Sequence, residues 1–205
     1  LKIGVMGGTF DPIHIGHLVT AEEARAQFEL ETVVFVPSAR PPHKVTIPHA
    51  PALDRLRMAE LAVEGNTALN VSDLEVKRDG LSYTIDTLRA LHGVYGSGTE
   101  LYFITGADAI LEILTWKDPE ELLAESKFIA ATRPGYALGE IEGAIPEFNS
   151  AGQKARNLVF SMEIPALAVS STDIRERVIK GRPFRYLVPD AVWGYIIDKR
   201  LYIQR

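Results

Sequence analysis

Six short runs rich in β-branched and aromatic residues punctuate the chain, at Lys2 to Met6, Thr32 to Val36, Leu69 to Ser72, Glu100 to Thr105, Lys127 to Thr132 and Leu158 to Met162. They read as strands. The longer amphipathic segments between them, at His17 to Phe28, Ala52 to Glu64, Tyr83 to His92 and Ala107 to Leu114, read as helices. Such alternation leaves few folds open, because successive parallel strands need crossover connections and helical crossovers cover the faces of the sheet. The expectation is an α/β fold built on a Rossmann-like, doubly wound parallel sheet. Ligands of such sheets lie at the carboxyl ends of the strands.

Further along, Asp118-Pro119 reads as an N-cap followed by proline at the first helical position. Ser171-Thr172-Asp173 opens a helix that Gly181 ends, and Pro189-Asp190 opens a last one running to about Lys199. The reading is a single domain over residues 1–205 with a small helical C-terminal part from about residue 172, a length that one core can serve. The Gly-rich stretch from Pro134 to Ala155 has little pattern and reads as a surface excursion.

The balance of 22 basic against 27 acidic residues leaves a net charge of -5, which disfavours a broad electrostatic grip on nucleic acid. With no cysteine, disulfides and thiolate metal sites are excluded. No apolar run approaches the ~20 residues of a membrane span, and the opening LKIGVMGGTFD turns acidic too soon for a signal peptide. A cytoplasmic protein with no membrane partner is expected. Homo-oligomerisation is left open.

Chemistry concentrates in GGTFDPIHIGHL, residues 7–18. Gly7 and Gly8 let backbone pass close to a ligand, Thr9 adds a hydroxyl, and a helix starting near Ile15 or Gly16 sets His14 and His17 on its first turn. Free amides and the positive end of the helix dipole favour an anion there. Two imidazoles at that place suit a polyphosphate. The glycines fit neither G-x-G-x-x-G nor G-x-x-x-x-G-K-[ST], and the remaining histidines, His43, His49 and His92, do not complete a zinc pattern, so no metal-binding residue is assigned. A second cluster, SSTDIRERV from Ser170 to Val178, places hydroxyls at a helix start and Arg175 one turn in. Arg175 can share an anion with the amides at that helix start.

GGTFDPIHIGHL together with SSTDIR resembles the nucleotidyltransferase superfamily marked by an H-x-G-H tetrad and a late S-T-x-x-R motif. The tetrad is shared with class I aminoacyl-tRNA synthetases, but neither their K-M-S-K-S-type loop nor a tRNA-binding domain is visible in this chain. PPHK at 41–44, SYTIDTL at 82–88, FITGAD at 103–108, Thr115-Trp116, TRPGY at 132–136 and YLVPDAV at 186–192 narrow the resemblance to bacterial nicotinate mononucleotide adenylyltransferases. It runs from residue 3 to about residue 200. The family implies transfer of the adenylyl group of ATP to nicotinate mononucleotide in NAD biosynthesis, with Mg²⁺ carried on the ATP phosphates. Two alternatives stand beside it, a pantetheine-phosphate adenylyltransferase-like enzyme and a non-catalytic nucleotide sensor.

By this resemblance, Gly8, Thr9, Phe10 and Gly106 line the nucleotide groove, and His14 and His17 donate to the triphosphate, with His17 the closer to the α-phosphate. Ser171, Thr172 and Arg175 hold the leaving pyrophosphate, while Lys44 closes over the phosphates from its Pro-rich loop. On the acceptor side Trp116 stacks on the pyridine, and Thr84 meets the nicotinate carboxylate with Lys117 close by. Arg133 holds the acceptor phosphate, and Asp108 organises the ribose region. Asp11 is expected to be structural, fixing the Gly-rich turn. The late motif reads Val169-Ser170 where isoleucine commonly precedes the serines.

Overall fold

A computed structural model describes residues 1–41, 49–132, 158–165 and 167–203. Six strands form one sheet in the order β3-β2-β1-β4-β5-β6, and every neighbouring pair is parallel. They are β1 (Lys2–Gly8), β2 (Thr32–Pro37), β3 (Leu69–Val71), β4 (Glu100–Gly106), β5 (Lys127–Thr132) and β6 (Val159–Glu163). The order reverses between β1 and β4, so the crevice beyond their carboxyl ends is the expected ligand position.

Side-chain alternation along the strands divides the core into two faces. Met6, Val33, Phe35, Tyr102, Ile104 and Ile129 point to one, whereas Ile3, Val5, Val34, Val36, Leu101, Phe103 and Phe128 point to the other. Burial on both faces is what makes these runs continuously apolar rather than alternating. The first face is covered by α1 (Ile15–Phe28) and α2 (Ala52–Val63), and the second by α4 (Thr84–Tyr95), α5 (Ala107–Leu111) and α6 (Pro119–Glu125).

The C-terminal helices α7 (Ser171–Ile179) and α8 (Asp190–Asp198) are built into the first face. Ile174, Phe184, Val188, Val192 and Ile196 belong to the same buried cluster as the α1 and α2 residues, and the Tyr195 hydroxyl donates to Asp54 on α2 at 2.8 Å.

Some boundaries differ from the sequence reading. The helix expected from Ala107 to Leu114 stops at Leu111 and gives way to a 3-10 turn, Ile113–Thr115. The short helix α3 (Leu74–Lys77) follows β3 where none was expected. Asp118 is the N-cap residue of α6 as expected, but it holds the left-handed region, φ 51°, and its side chain makes no capping bond. Proline at the first helical position supplies the start by its fixed φ. By contrast α7 opens at Ser171 as expected, and Ser170 before it caps the helix by accepting the Asp173 amide at 3.1 Å. The excursion from Pro134 to Ala155 lies outside the described residues.

Candidate active site

The two polar clusters of the sequence, some 160 residues apart, meet at the carboxyl end of β1. The Ser171 hydroxyl donates to the Pro12 carbonyl at 2.8 Å, and the Arg175 guanidinium donates through Nη1 to the Asp11 carbonyl at 2.7 Å. These bonds set the N-terminus of α7 beside that of α1. Arg175 also donates through Nη2 to Thr172 Oγ1 at 3.2 Å, which fixes the hydroxyl and the guanidinium together. Ser171 commits its proton to Pro12, so what it can offer an anion is its backbone amide.

His14 is the N-cap residue of α1, with extended backbone. Its N–H donates to Nδ1 of His17 at 3.2 Å, as a glutamate or glutamine at the same place in a capping box would accept it. With Nδ1 accepting, a neutral His17 carries its proton on Nε2. The two rings stack with centroids 3.7 Å apart, and the Phe10 ring meets His17 edge-on at 5.1 Å. His14 is 7% exposed and its Nδ1 has no hydrogen-bond partner. Burial pushes its pKa down to about 4, so the ring is neutral near pH 7.

Gly16 explains the spacing of the histidines. A Cβ there would stand 3.0 Å from Val169 Cγ1 and 3.1 Å from the His14 ring, so only glycine lets that ring and the approach to α7 share the space. At Gly8 a Cβ would come within 2.8 Å of the Phe10 ring. Phe10 holds φ 48°, uncommon for a residue with a side chain, and its buried ring packs on Phe35 and His17.

Beneath this turn lies Arg55, which is 1% exposed and was not singled out from the sequence. Its guanidinium donates to the carbonyls of Ala50 at 3.1 Å, Thr9 at 2.6 Å and Ala39 at 3.4 Å, tying the turn after β1 to the segment after β2. Burial lowers its pKa from the ordinary arginine value, against the pull of Asp11, Tyr202 and Glu75. Its place beside the buried Met58 and Ala59 on α2 is the one local hint, and it does not disclose the partners. Asp11 is structural as expected, but through other partners. It accepts from the amides of His49 at 2.8 Å and Ala50 at 3.0 Å and from the Tyr202 hydroxyl at 2.9 Å, rather than from the Gly-rich turn.

On the opposite side of Gly8 and Thr9 a cavity of about 280 Å³ opens between the ends of β1 and β4 and the start of α4. Thr84, Trp116 and Lys117 line it. Thr84 is the first residue of α4, whose N-cap Tyr83 offers no side-chain capping bond, so the first-turn amides stand beside the cavity without that cover. The Trp116 ring is half-buried and meets Phe103 edge-on at 5.9 Å. Lys117 is already engaged, 3.2 Å from Asp86 Oδ2 and 4.7 Å above the Tyr83 ring. Gly106 closes β4 and Asp108 lies in the first turn of α5; neither lines this cavity. Lys44 and Arg133 lie outside the described residues.

Two helix N-termini thus meet at the switch point of a parallel sheet, beside a ring-sized cavity reached through a glycine turn, an arrangement suited to a nucleotide. Residues 5–177 match the cytidylyltransferase-like family, and over 204 residues the chain is 53% identical to the probable nicotinate-nucleotide adenylyltransferase of Moorella thermoacetica, covering 100% of this chain and 93% of that protein. The probable nicotinate-nucleotide adenylyltransferase of Thermoanaerobacter sp. is 50% identical, with 98% and 94% covered. This chain belongs to the cytidylyltransferase-like family and, within it, to the nicotinate-nucleotide adenylyltransferases. The fold is that of the Plasmodium falciparum nicotinic acid mononucleotide adenylyltransferase solved with NaAD, with a TM-score of 0.76, 21% identity and coverage of 98% and 97%.

Proposed function

We propose that the site carries out its reaction with the ATP triphosphate lying between the N-termini of α1 and α7 and the pyridine ring of nicotinate mononucleotide in the cavity beside Trp116. Family membership supplies the reaction, adenylyl transfer to nicotinate mononucleotide in NAD biosynthesis. An oxygen of the acceptor phosphate forms the new bond to the α-phosphorus as the bond to the β-phosphate breaks, and pyrophosphate leaves. The acceptor phosphate is anionic near neutral pH, so no general base and no covalent intermediate are needed. Catalysis then rests on positioning and on charge stabilisation.

The observation that carries this reading is the docking of α7 onto the turn after β1 through Ser171 and Arg175. It supports a role for Arg175 and Thr172, with the α7 amides, at the leaving pyrophosphate. His17, with its proton on Nε2, is the donor to the α-phosphate, and the neutral His14 holds the ring of His17 by stacking and adds a second imidazole. Gly8, Thr9 and Phe10 form the floor that both substrates share, with Gly106 at the neighbouring strand end. Lys44 is assigned to the phosphates and Arg133 to the acceptor phosphate by family likeness alone, as is Asp108 to the ribose region.

ATP enters as its Mg²⁺ complex. Among the described residues no group of three or more His, Cys, Asp or Glu side chains is set to hold a metal ion. The first-turn carboxylate of α7, Asp173, is paired with Arg177. The ion is therefore assigned to phosphate oxygens and water.

For the acceptor, Thr84 and the first-turn amides of α4 suit a carboxylate, and Trp116 offers its face to the ring. An amide in the same place would turn its NH₂ toward donors, so the acid is preferred. Lys117 contributes through its pair with Asp86 rather than as a bare charge.

The test is pyrophosphate release with ATP and Mg²⁺ and, in parallel, nicotinate mononucleotide, nicotinamide mononucleotide or phosphopantetheine. Turnover with nicotinate mononucleotide at the highest kcat/KM is expected. Turnover with phosphopantetheine alone would overturn the acceptor assignment, and silence with all three would leave a nucleotide sensor.

A further inference from the structure

Two guanidinium groups lie beside Asp11, and among the described residues its carboxylate pairs with neither. Arg55 donates to the carbonyls of Thr9, Ala50 and Ala39, and Arg175 donates to the main-chain carbonyl of Asp11 rather than to its side chain. The carboxylate is satisfied by neutral donors instead. Its Oδ2 accepts the His49 amide at 2.8 Å, and its Oδ1 accepts both the Ala50 amide at 3.0 Å and the Tyr202 hydroxyl at 2.9 Å. Tyr202 reaches this place with φ 66°, in the left-handed region that bulky residues rarely adopt, and Arg200 just before it holds φ 51°. Backbone outliers of this kind persist only where their surroundings hold them, and they gather at functional sites. The Tyr202 ring packs on the first-face core. Burial and the Asp11 carboxylate push the pKa of its hydroxyl up, against the pull of Arg175 and Arg55, so it remains a donor near neutral pH.

Resting on the reading that Arg175 holds the leaving pyrophosphate, we propose that Tyr202 is a positioning residue for Arg175 and acts through Asp11. Its hydroxyl fills Oδ1, so the carboxylate stays on its neutral donors and Arg175 stays on the carbonyl with its charge available to the phosphates. A carboxylate oxygen left short of donors beside a guanidinium draws it into a direct pair, because charge-assisted bonds are the stronger ones. Such a pair would pull the fork off the Asp11 carbonyl and away from Thr172, and it would neutralise the cation that α7 presents. Loss of the Tyr202 hydroxyl therefore weakens the hold on pyrophosphate. The acceptor cavity, on the opposite side of Gly8 and Thr9, is left as it was. By this route the last residues of the chain serve the triphosphate site without meeting the substrate.

The experiment measures the dissociation constants of pyrophosphate with Mg²⁺ and of nicotinate mononucleotide, by titration calorimetry, in the parent, Tyr202→Phe, Arg175→Ala and the double variant. Tyr202→Phe should raise the constant for pyrophosphate about tenfold when Arg175 is present and by less than about twofold when it is alanine, with nicotinate mononucleotide bound as in the parent. An equal rise in both backgrounds would mean that Tyr202 does not act through Arg175, and equal weakening of both ligands would mean a general loosening of the fold. Either result overturns the proposal, as does parental binding of pyrophosphate by Tyr202→Phe. Should that variant not fold, 4-aminophenylalanine and 4-methylphenylalanine at position 202 take its place. Both fill the space of the hydroxyl and only the first donates, so the second should bind pyrophosphate about tenfold more weakly than the first. Equal binding by the two overturns the proposal. If Arg175→Ala binds pyrophosphate as the parent does, the assignment of Arg175 itself fails, and the role of Tyr202 with it.

Discussion

Arg175 reaches back 164 residues to place its Nη1 2.7 Å from the carbonyl oxygen of Asp11. One guanidinium therefore locks the late helix to the first turn of the fold and, through Nη2, orients Thr172. A lysine keeps the charge but not the fork. Arg175→Lys should lower kcat/KM for ATP about tenfold, and Arg175→Ala by about 10²-fold or more, with KM for nicotinate mononucleotide little changed. Steady-state pyrophosphate release separates the substrates. A lysine variant with parental kcat/KM would remove the fork from the account.

His17 has two duties that substitution can divide. It accepts the His14 N–H through Nδ1, and in the proposed function its Nε2–H donates to the α-phosphate. His17→Ala loses both, with turnover down about 10²-fold or more and stability down about 1 kcal/mol. Glutamine at this helix position can also accept that N–H. His17→Gln should therefore recover the urea midpoint while leaving turnover low. Recovery of turnover in the glutamine variant would show that the imidazole's contribution is capping alone.

The parts of this site that could be read from the sequence are those built from neighbours in the chain. His14, Gly16 and His17 stand within four residues, and Ser171, Thr172 and Arg175 within five, so a helix start and the polar groups around it are local patterns. The strands were legible because both faces of the sheet are buried and each run is continuously apolar. Arg55 was not, because its meaning comes from the carbonyls of Thr9 and Ala39, 46 and 16 residues away. Tyr202 was hidden in the same way, since its hydroxyl meets Asp11 across 191 residues. The pairing of Lys117 with Asp86, 31 residues earlier, was not legible either, because it joins two separate parts of the fold rather than chain neighbours. Asp118 stands at the cap position its spelling predicts, yet with φ 51° it makes no side-chain capping bond.

Acid should weaken the protein through His14. Its pKa of about 4 in the fold lies below the ordinary 6.5, so between these values the unfolded chain binds more protons. Stability from this group is complete above about pH 6.5 and is lost as pH falls toward 4, by about 3 kcal/mol in total. His14→Asn keeps a residue suited to the N-cap and removes the titration. Urea unfolding at pH 7 and pH 4.5 should show a loss about 2 kcal/mol smaller in the variant than in the parent. Equal losses would mean that the His14 ring is protonated in the folded protein.

Gly16 and Val169 form a contact that a double-mutant cycle can resolve. A methyl group on Gly16 would meet Val169 Cγ1 at 3.0 Å and the His14 ring at 3.1 Å, so Gly16→Ala must displace one of them. Overpacking of this kind costs about 1–3 kcal/mol, and a shifted His14 ring carries the stacked His17 with it. Both stability and turnover should therefore fall. Val169→Ala removes the Cγ1 methyl that stands nearest and should return part of the loss when combined with Gly16→Ala, giving a coupling energy of about 0.5 kcal/mol or more. Val169→Ile in the parent adds bulk beside this contact and tests whether the smaller residue is matched to the seat of His14. Additive effects of Gly16→Ala and Val169→Ala would show instead that the imidazole ring alone absorbs the clash.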